Sequence, residues 1–234
     1  HRDLLLYPAM ITKLFIGIPI YGAMDAQFAH CLIALHLDPP CNEFLVCPNL
    51  GDSLVSRSRN TITANFLATD ATHLLWLDSD LIFSPEHVRR LLSHDKEVVG
   101  GFYPKKCQGP LQWVCNALDG PPSPVLANGL QEIKYAGTGF MLIKRVVFEQ
   151  MIARYGKEIG YMADEAKRQE YDFWSVGTYQ FPDGTRRYLS EDWYFSQRWR
   201  DLGGKVWGDT KIVCKHVGQA VYPLKTQESD IIAP

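Results

Sequence analysis

Asp78 and Asp80 stand two residues apart, directly after His73-Leu-Leu-Trp-Leu77, a short apolar run suited to a strand buried on both faces. In an extended chain alternate side chains share one side, so this spacing predicts both carboxylates presented to a single point just past the strand. Two hard oxygen ligands suit Mg²⁺ or Mn²⁺, an ion that typically joins protein carboxylates to the phosphates of a nucleotide. The competing reading of the same residues is a solvated Asp-Ser-Asp turn, and the buried strand in front favours a site.

Two further pairs could serve such chemistry. Arg57 and Arg59 lie at the start of a helix read over 53–69, where guanidinium groups and free backbone N–H groups can meet a diphosphate; a solvated helix face is the alternative. Glu191 and Asp192 open a helix read over 191–202. Carboxylates there are favoured by the helix dipole alone, and they are also placed to take up a proton.

The chain that must position these groups has 234 residues, 46% hydrophobic, 21% charged and 12% aromatic, enough for one domain with a full core. Lys and Arg number 24 against 26 Asp and Glu, a net charge of −2, so no broad basic face predicts nucleic-acid binding. The 6 cysteines form no C-x-x-C pair, which reads as a reduced, cytoplasmic protein. Leu14–Ile20, interrupted by Gly17 and Pro19, is too short for a membrane span. Met10 precedes this run, so 1–9 reads as an upstream extension and 10–234 as a single domain.

Along the chain, strands read at 14–20, 43–47, 73–77, 97–102 and 135–143, and near Val206 and Ile212, alternate with helices. The helices start near Met24 and Ser53, after a Ser84 cap with Pro85 behind it, at Val146 (ended by Gly156) and at Glu191. The segment 105–129 reads as a Pro- and Gly-rich loop and 161–188 as a polar, aromatic excursion. Such alternation predicts an α/β fold, a mainly parallel sheet flanked by helices on both faces, with its ligand site beyond the carboxyl ends of the strands.

Leu74-Leu-Trp-Leu-Asp78-Ser-Asp80 resembles the D-x-D segment of glycosyltransferases with the GT-A fold. Other segments match in order. The first strand with Pro19 and Tyr21 resembles the nucleotide-base edge, and Arg57-Ser-Arg59-Asn60 resembles the helix start near the diphosphate. Ala136-Gly137-Thr-Gly139-Phe-Met-Leu-Ile143 is similar to the acceptor-side strand, and Ser190-Glu191-Asp192-Trp-Tyr-Phe195 to the E-D segment. The resemblance runs from about Leu14 to Val217 and is nearest to the small GT-A domains of large algal viruses and phages.

It implies a GT-A fold with a Rossmann-like nucleotide-binding half, a nucleotide-sugar donor (UDP-linked), Mn²⁺ or Mg²⁺, and a glycan or glycoprotein acceptor, in the host cytoplasm if viral. It further implies direct metal contact by Asp80, contact by Asp78 with ribose or with the metal through water, and His216 as the completing ligand. Asp192 would be the base of an inverting reaction, with Glu191 orienting it or the acceptor; in a retaining reaction Asp192 would bind the acceptor or donor sugar instead. Pro19, Tyr21, Arg57, Arg59, Asn60, Asp78 and Gly137 would contact the donor. Of the aromatics in or beside loops, Tyr103, Trp113, Tyr135, Phe173, Trp174 and Trp193, the last two stand first as sugar platforms. His30, His36, His73, His87 and His94 read as structural.

An aspartate-nucleophile phosphatase also places D-x-D after an apolar strand, with Asp78 as nucleophile and Asp80 as acid–base, but Ile82 stands where it would need Thr or Val. A sugar-binding module without turnover is the non-enzymatic alternative.

Overall fold

Apolar runs without polar alternation need cover on both faces, and alternating strands with helices supplies it. The computed structural model describes residues 12–107, 110–164, 166–218 and 221–222; the expected extension at 1–9 lies outside them. The chain proceeds as β1 (Lys13–Ile20), α1 (Ala26–Leu37), β2 (Glu43–Leu50), α2 (Val55–Leu67), β3 (His73–Leu77), β4 (Leu81–Ile82), α3 (Pro85–Ser93) and β5 (Val98–Phe102). There follow β6 (Cys115–Asn116), β7 (Leu130–Ile133), β8 (Tyr135–Ala136), β9 (Phe140–Lys144), α4 (Arg145–Ile159), β10 (Gly160–Ala163) and β11 (Arg168–Tyr171). The last elements are β12 (Gly177–Gln180), β13 (Arg186–Leu189), α5 (Glu191–Asp201), β14 (Val206–Val213), β15 (Lys215–Val217) and β16 (Val221–Tyr222).

The central sheet has 7 strands in the order β2-β1-β3-β9-β5-β14-β7. β2, β1, β3, β5 and β14 run one way, and β9 and β7 oppose them, so the sheet is mixed. Side chains of α1 and α3 (Phe28, Cys31, Leu35, Val88, Leu91) pack on one face with Leu14, Ile16, Leu75 and Leu77. On the other face Ile62 and Phe66 of α2, Val147, Phe148 and Met151 of α4, and Phe195 and Trp199 of α5 cover Phe15, Leu74 and Trp76. The carboxyl ends of β1 and β3 therefore lie side by side at one edge, with the amino end of β9 next to them, since Leu77 pairs with Phe140.

Ser84 caps α3 as expected: its Oγ accepts from the His87 N–H, with Pro85 at the first helical position. Three expectations are corrected. The strand read over 135–143 breaks at Gly137–Gly139 into β8 and β9, because a Cβ on Gly137 would lie 2.5 Å from Val114 Cγ1 and the chain bends around Tyr103 there. Helix α4 runs through Gly156 to Ile159, because its buried stripe of Val147, Phe148, Met151 and Ile159 outweighs a glycine's unfavourable helix propensity. The 161–188 excursion is two hairpins, β10–β11 and β12–β13, and the turn between them returns Phe173 and Trp174 to the core.

Gly17 faces two fully buried neighbours, and a Cβ there would lie 2.6 Å from Ile62 Cγ2 and 2.7 Å from Trp76 Cζ3. Gly17→Ala should therefore lower stability by about 1–3 kcal/mol through overpacking, seen as a lower urea midpoint with an unchanged slope. Combining it with Ile62→Val should recover part of the loss, and an unaltered midpoint in the single variant would contradict this packing.

Candidate active site

The two aspartates do not follow strand alternation. Asp78 N–H donates to the Gly139 carbonyl (3.0 Å), Leu81 N–H donates back to the Asp78 carbonyl (3.2 Å), and Asp25 N–H, just before α1, donates to the Ser79 carbonyl (3.1 Å). Asp78-Ser79-Asp80 is thus a turn between β3 and β4 and not extended chain. The expectation of both carboxylates aimed at one point is corrected accordingly: each has its own partner.

Asp78 belongs to Arg59. The Arg59 side chain is 2% exposed, donates from Nη2 to Asp78 Oδ1 at 2.8 Å, and holds Nε 3.7 Å from Glu191 Oε1. Its Nε and Nη1 have no hydrogen-bond partner among the described residues. The guanidinium rests on Trp76 (5.1 Å from Cζ to the ring centroid), Trp76 meets Trp174 edge-on at 5.3 Å, and Trp174 stacks on Phe195 at 4.4 Å. Burial alone would weaken the Arg59 charge, but Asp78 and Glu191 more than offset it and raise its pKa. The carboxyl end of β3 and the amino end of α5, far apart in sequence, are joined through this one side chain.

The pKa values of Glu191 and Asp192 are both raised from their ordinary values. For Glu191, burial and the neighbouring Asp192 outweigh the pull of Arg59; for Asp192, burial outweighs the hydrogen bonds from Ser190 Oγ and the Trp193 N–H. Tyr103 sits against the same group. Its hydroxyl accepts from the Gly139 N–H at 2.9 Å, and burial, with Asp78 close by, drives its pKa far up, so it remains a neutral phenol.

Asp80 faces His216. Strand β15 pairs antiparallel with β4, placing His216 opposite Leu81, and the Val217 N–H donates to the Asp80 carbonyl at 2.8 Å. His216 Nε2 lies 3.4 Å from Asp80 Oδ1. Its Nδ1 is 2.8 Å from the Pro104 carbonyl, which can only accept, so Nδ1 carries the proton. Asp80 Oδ2 receives the Lys106 ammonium, whereas Oδ1 is buried without a hydrogen-bond partner among the described residues. Burial pushes the Asp80 pKa up, and His216 and Lys106 together more than reverse this.

Among the described residues no three His, Cys, Asp or Glu side chains converge as a ready cation cage. The pair that exists still fits a divalent ion. With Nε2 unprotonated, the His216 ring would turn a lone pair toward Asp80 Oδ1, and two ligands at right angles on an ion with bonds of about 2.1 Å stand about 3 Å apart. Holding the imidazole by its far N–H on a backbone carbonyl is also how ligating histidines are oriented.

Other expected residues are distributed differently. Residues two apart on an α-helix point about 200° from each other, so Arg57 and Arg59 cannot serve one point. Arg57 makes a two-pronged contact with Asp52 (2.9 and 2.7 Å) and lines a 620 Å³ cavity with Asn60, Tyr161 and Ser175. Asn60 donates to Asp172 Oδ1 (2.7 Å) and accepts from the Trp174 N–H (3.2 Å), fastening the turn that carries Trp174. Pro19 and the exposed Tyr21 lie at the carboxyl end of β1, beside the aspartate turn, and Gly137 forms the bend next to Tyr103.

Trp174, expected first among sugar platforms, is fully buried and donates from Nε1 to Thr63 Oγ1, so that reading is corrected; its aromatic partners made it core. Phe173, Tyr103 and Tyr135 are buried as well, while Trp193 is partly open and stacks on Tyr135 at 5.1 Å. Lys106 was missed, since a lone lysine in an aperiodic loop carries no sequence signal.

No protein-family model and no curated protein matches the chain. Its fold is similar to that of A197 from STIV, with a TM-score of 0.53 at 19% identity, over 89% of this chain and 86% of that one. GalNAc-T7, crystallised with UDP, GalNAc and Mn²⁺, superposes with a TM-score of 0.45 at 10% identity, over 92% of this chain and 44% of that one. A glycosyltransferase involved in glycosylation of the major capsid of PBCV-1 gives 0.33 at 12% identity, over 94% of this chain and 96% of that one. The A197 likeness speaks to the fold alone, and the two weaker superpositions are too distant to bear on it.

Removing Arg59 leaves Asp78 and Glu191 without their shared countercharge. Arg59→Met should cost about 3 kcal/mol, the low end for breaking a buried pair because Asp78 keeps partial solvent access. Without the guanidinium the folded-state pKa of Glu191 rises further, so the loss should be larger at pH 8 than at pH 5. Denaturant titrations at the two pH values measure it, and a pH-independent loss would contradict the charge argument.

Proposed function

We propose that this chain is a metal-dependent glycosyltransferase, taking a sugar from a nucleoside-diphosphate donor, UDP-linked by the sequence resemblance, to a hydroxyl of a glycan or glycoprotein. The observation that carries the proposal is the buried Asp80 Oδ1, without a hydrogen bond of good geometry among the described residues and facing His216 Nε2 at 3.4 Å, beside a group of acids at the strand ends. Asp80 and His216 are the residues that would hold Mn²⁺ or Mg²⁺, with Asp78 approaching through water or meeting the ribose. Once bound, the ion neutralises charge growing on the departing diphosphate.

The remaining work falls to this chain's residues. Arg59 keeps Asp78 and Glu191 at a fixed separation, joining the donor side to the acceptor side. Asp192, which has no arginine of its own, takes the acceptor hydroxyl proton as that oxygen bonds the anomeric carbon; the bond to the diphosphate breaks and its electron pair leaves with the phosphate. Glu191 orients Asp192 and the acceptor. Trp193, partly open on its Tyr135 partner, offers a face for a sugar ring. Pro19 and Tyr21 flank the base, while Gly137, packed against Tyr103 and Val114, shapes the bend beside them.

Donor hydrolysis or transfer, followed as UDP release, should stop with EDTA, return with Mn²⁺, and be lost in Asp80→Ala; turnover indifferent to chelation would refute the metal role. Asp192→Asn provides a second test because its two effects oppose. The raised folded-state pKa means an ionised Asp192 destabilises the protein as pH rises, while catalysis needs that ionised form. The variant should be at least as stable as the parent at pH 8 yet lose about 10²–10⁴ in kcat, and the parent's activity should fall on its acid side at a pH raised from the ordinary aspartate value. A variant that keeps full activity would remove Asp192 as base.

A further inference from the structure

Lys106 lies outside every group assigned above, yet its ammonium is the one cation in direct contact with Asp80 Oδ2. Its backbone is held at the base of a loop. Tyr103 and Val114 are joined by the Val114 N–H to the Tyr103 carbonyl (3.0 Å), Lys105 N–H donates to the Gln112 carbonyl (2.7 Å), and Cys107 N–H turns back to the Lys105 carbonyl (3.0 Å). The preceding carbonyl, Pro104, holds the His216 ring. One short segment thus fixes both the imidazole beside Asp80 Oδ1 and the lysine on Asp80 Oδ2.

We infer that Lys106 is a donor-phosphate ligand that exchanges partners: it neutralises Asp80 in the free protein, and binds the diphosphate once a divalent cation has taken Asp80. The inference rests on the metal-dependent reading above. A cation held by Asp80 repels an ammonium on the neighbouring oxygen, so the two positive groups compete for one carboxylate. The same cation draws phosphate oxygens to within a few ångströms of Asp80. The displaced ammonium, on a flexible four-carbon stem with its backbone fixed, then finds the diphosphate as the nearest unpaired negative charge. Asp80 keeps a countercharge throughout, which its partial burial requires.

The two roles have opposite signs in binding. With the full chain and no nucleotide, Mn²⁺ affinity read from the electron paramagnetic resonance signal of the free ion should tighten about fivefold in Lys106→Met, while Lys105→Met, removing an adjacent charge that does not touch Asp80, should change it less than twofold. With Mn²⁺ saturating, UDP affinity by calorimetry should instead weaken about fivefold in Lys106→Met and return toward the parent in Lys106→Arg. Equal Mn²⁺ affinities in Lys106→Met and parent, an equal gain in Lys105→Met, or unchanged UDP affinity would each overturn the exchange. If neither parent nor Lys106→Met holds Mn²⁺ in a manner abolished by Asp80→Ala, the metal reading itself fails and takes the exchange with it.

Discussion

Crowded negative charge is the constraint from which the site follows. Asp78, Asp80, Glu191 and Asp192 gather at one edge of a buried sheet, and the fixed cations touching them are Arg59 and Lys106. Carboxylates withdrawn from water without enough positive charge either take up protons or recruit a cation. Glu191 and Asp192 are pushed toward their neutral forms, and Asp80 Oδ1 is left facing His216 Nε2 at 3.4 Å. Structural ion-pair networks tend toward balance, and the imbalance kept at these strand ends is what makes them the candidate ligand site.

The fold exists to hold this imbalance still. Arg59 stays in place because its guanidinium lies on Trp76, which Trp174 and Phe195 wedge from behind, so fully buried aromatic packing stands directly beneath a charged group. His216 arrives by a different route, through the β4–β15 pairing that starts at the residue after Asp80. Elements from the beginning, middle and end of the chain meet within a few residues of one turn. The parallel strands of the mixed sheet allow this because their carboxyl ends lie at one edge whatever their order in sequence.

Much of the architecture was legible before the structure. The apolar runs at 14–20 and 73–77 and the Ser84-Pro85 helix start carry local signals, and each became the element expected. Asp78, Asp80, Glu191 and His216 were legible as candidates because they lie at element ends, where side chains leave the core. What escaped was set by distant partners. Trp174 reads as an exposed loop aromatic until Asn60, Thr63 and Phe195 close around it. The divergence of Arg57 and Arg59 follows from helical geometry, yet a motif read as a string of letters hides it. The turn at Ser79 was the competing reading, and what decides it is β4 pairing with a strand more than a hundred residues away.

The central claim, that the aspartate turn and His216 receive a divalent cation carrying a nucleoside diphosphate, is tested most directly by crystals grown with Mn²⁺ and UDP and measured at the manganese absorption edge. The account predicts one anomalous peak within bonding distance of Asp80 and His216, with the UDP diphosphate on its far side. A map showing bound UDP with no peak there, and Asp80 still paired to Lys106, would contradict it.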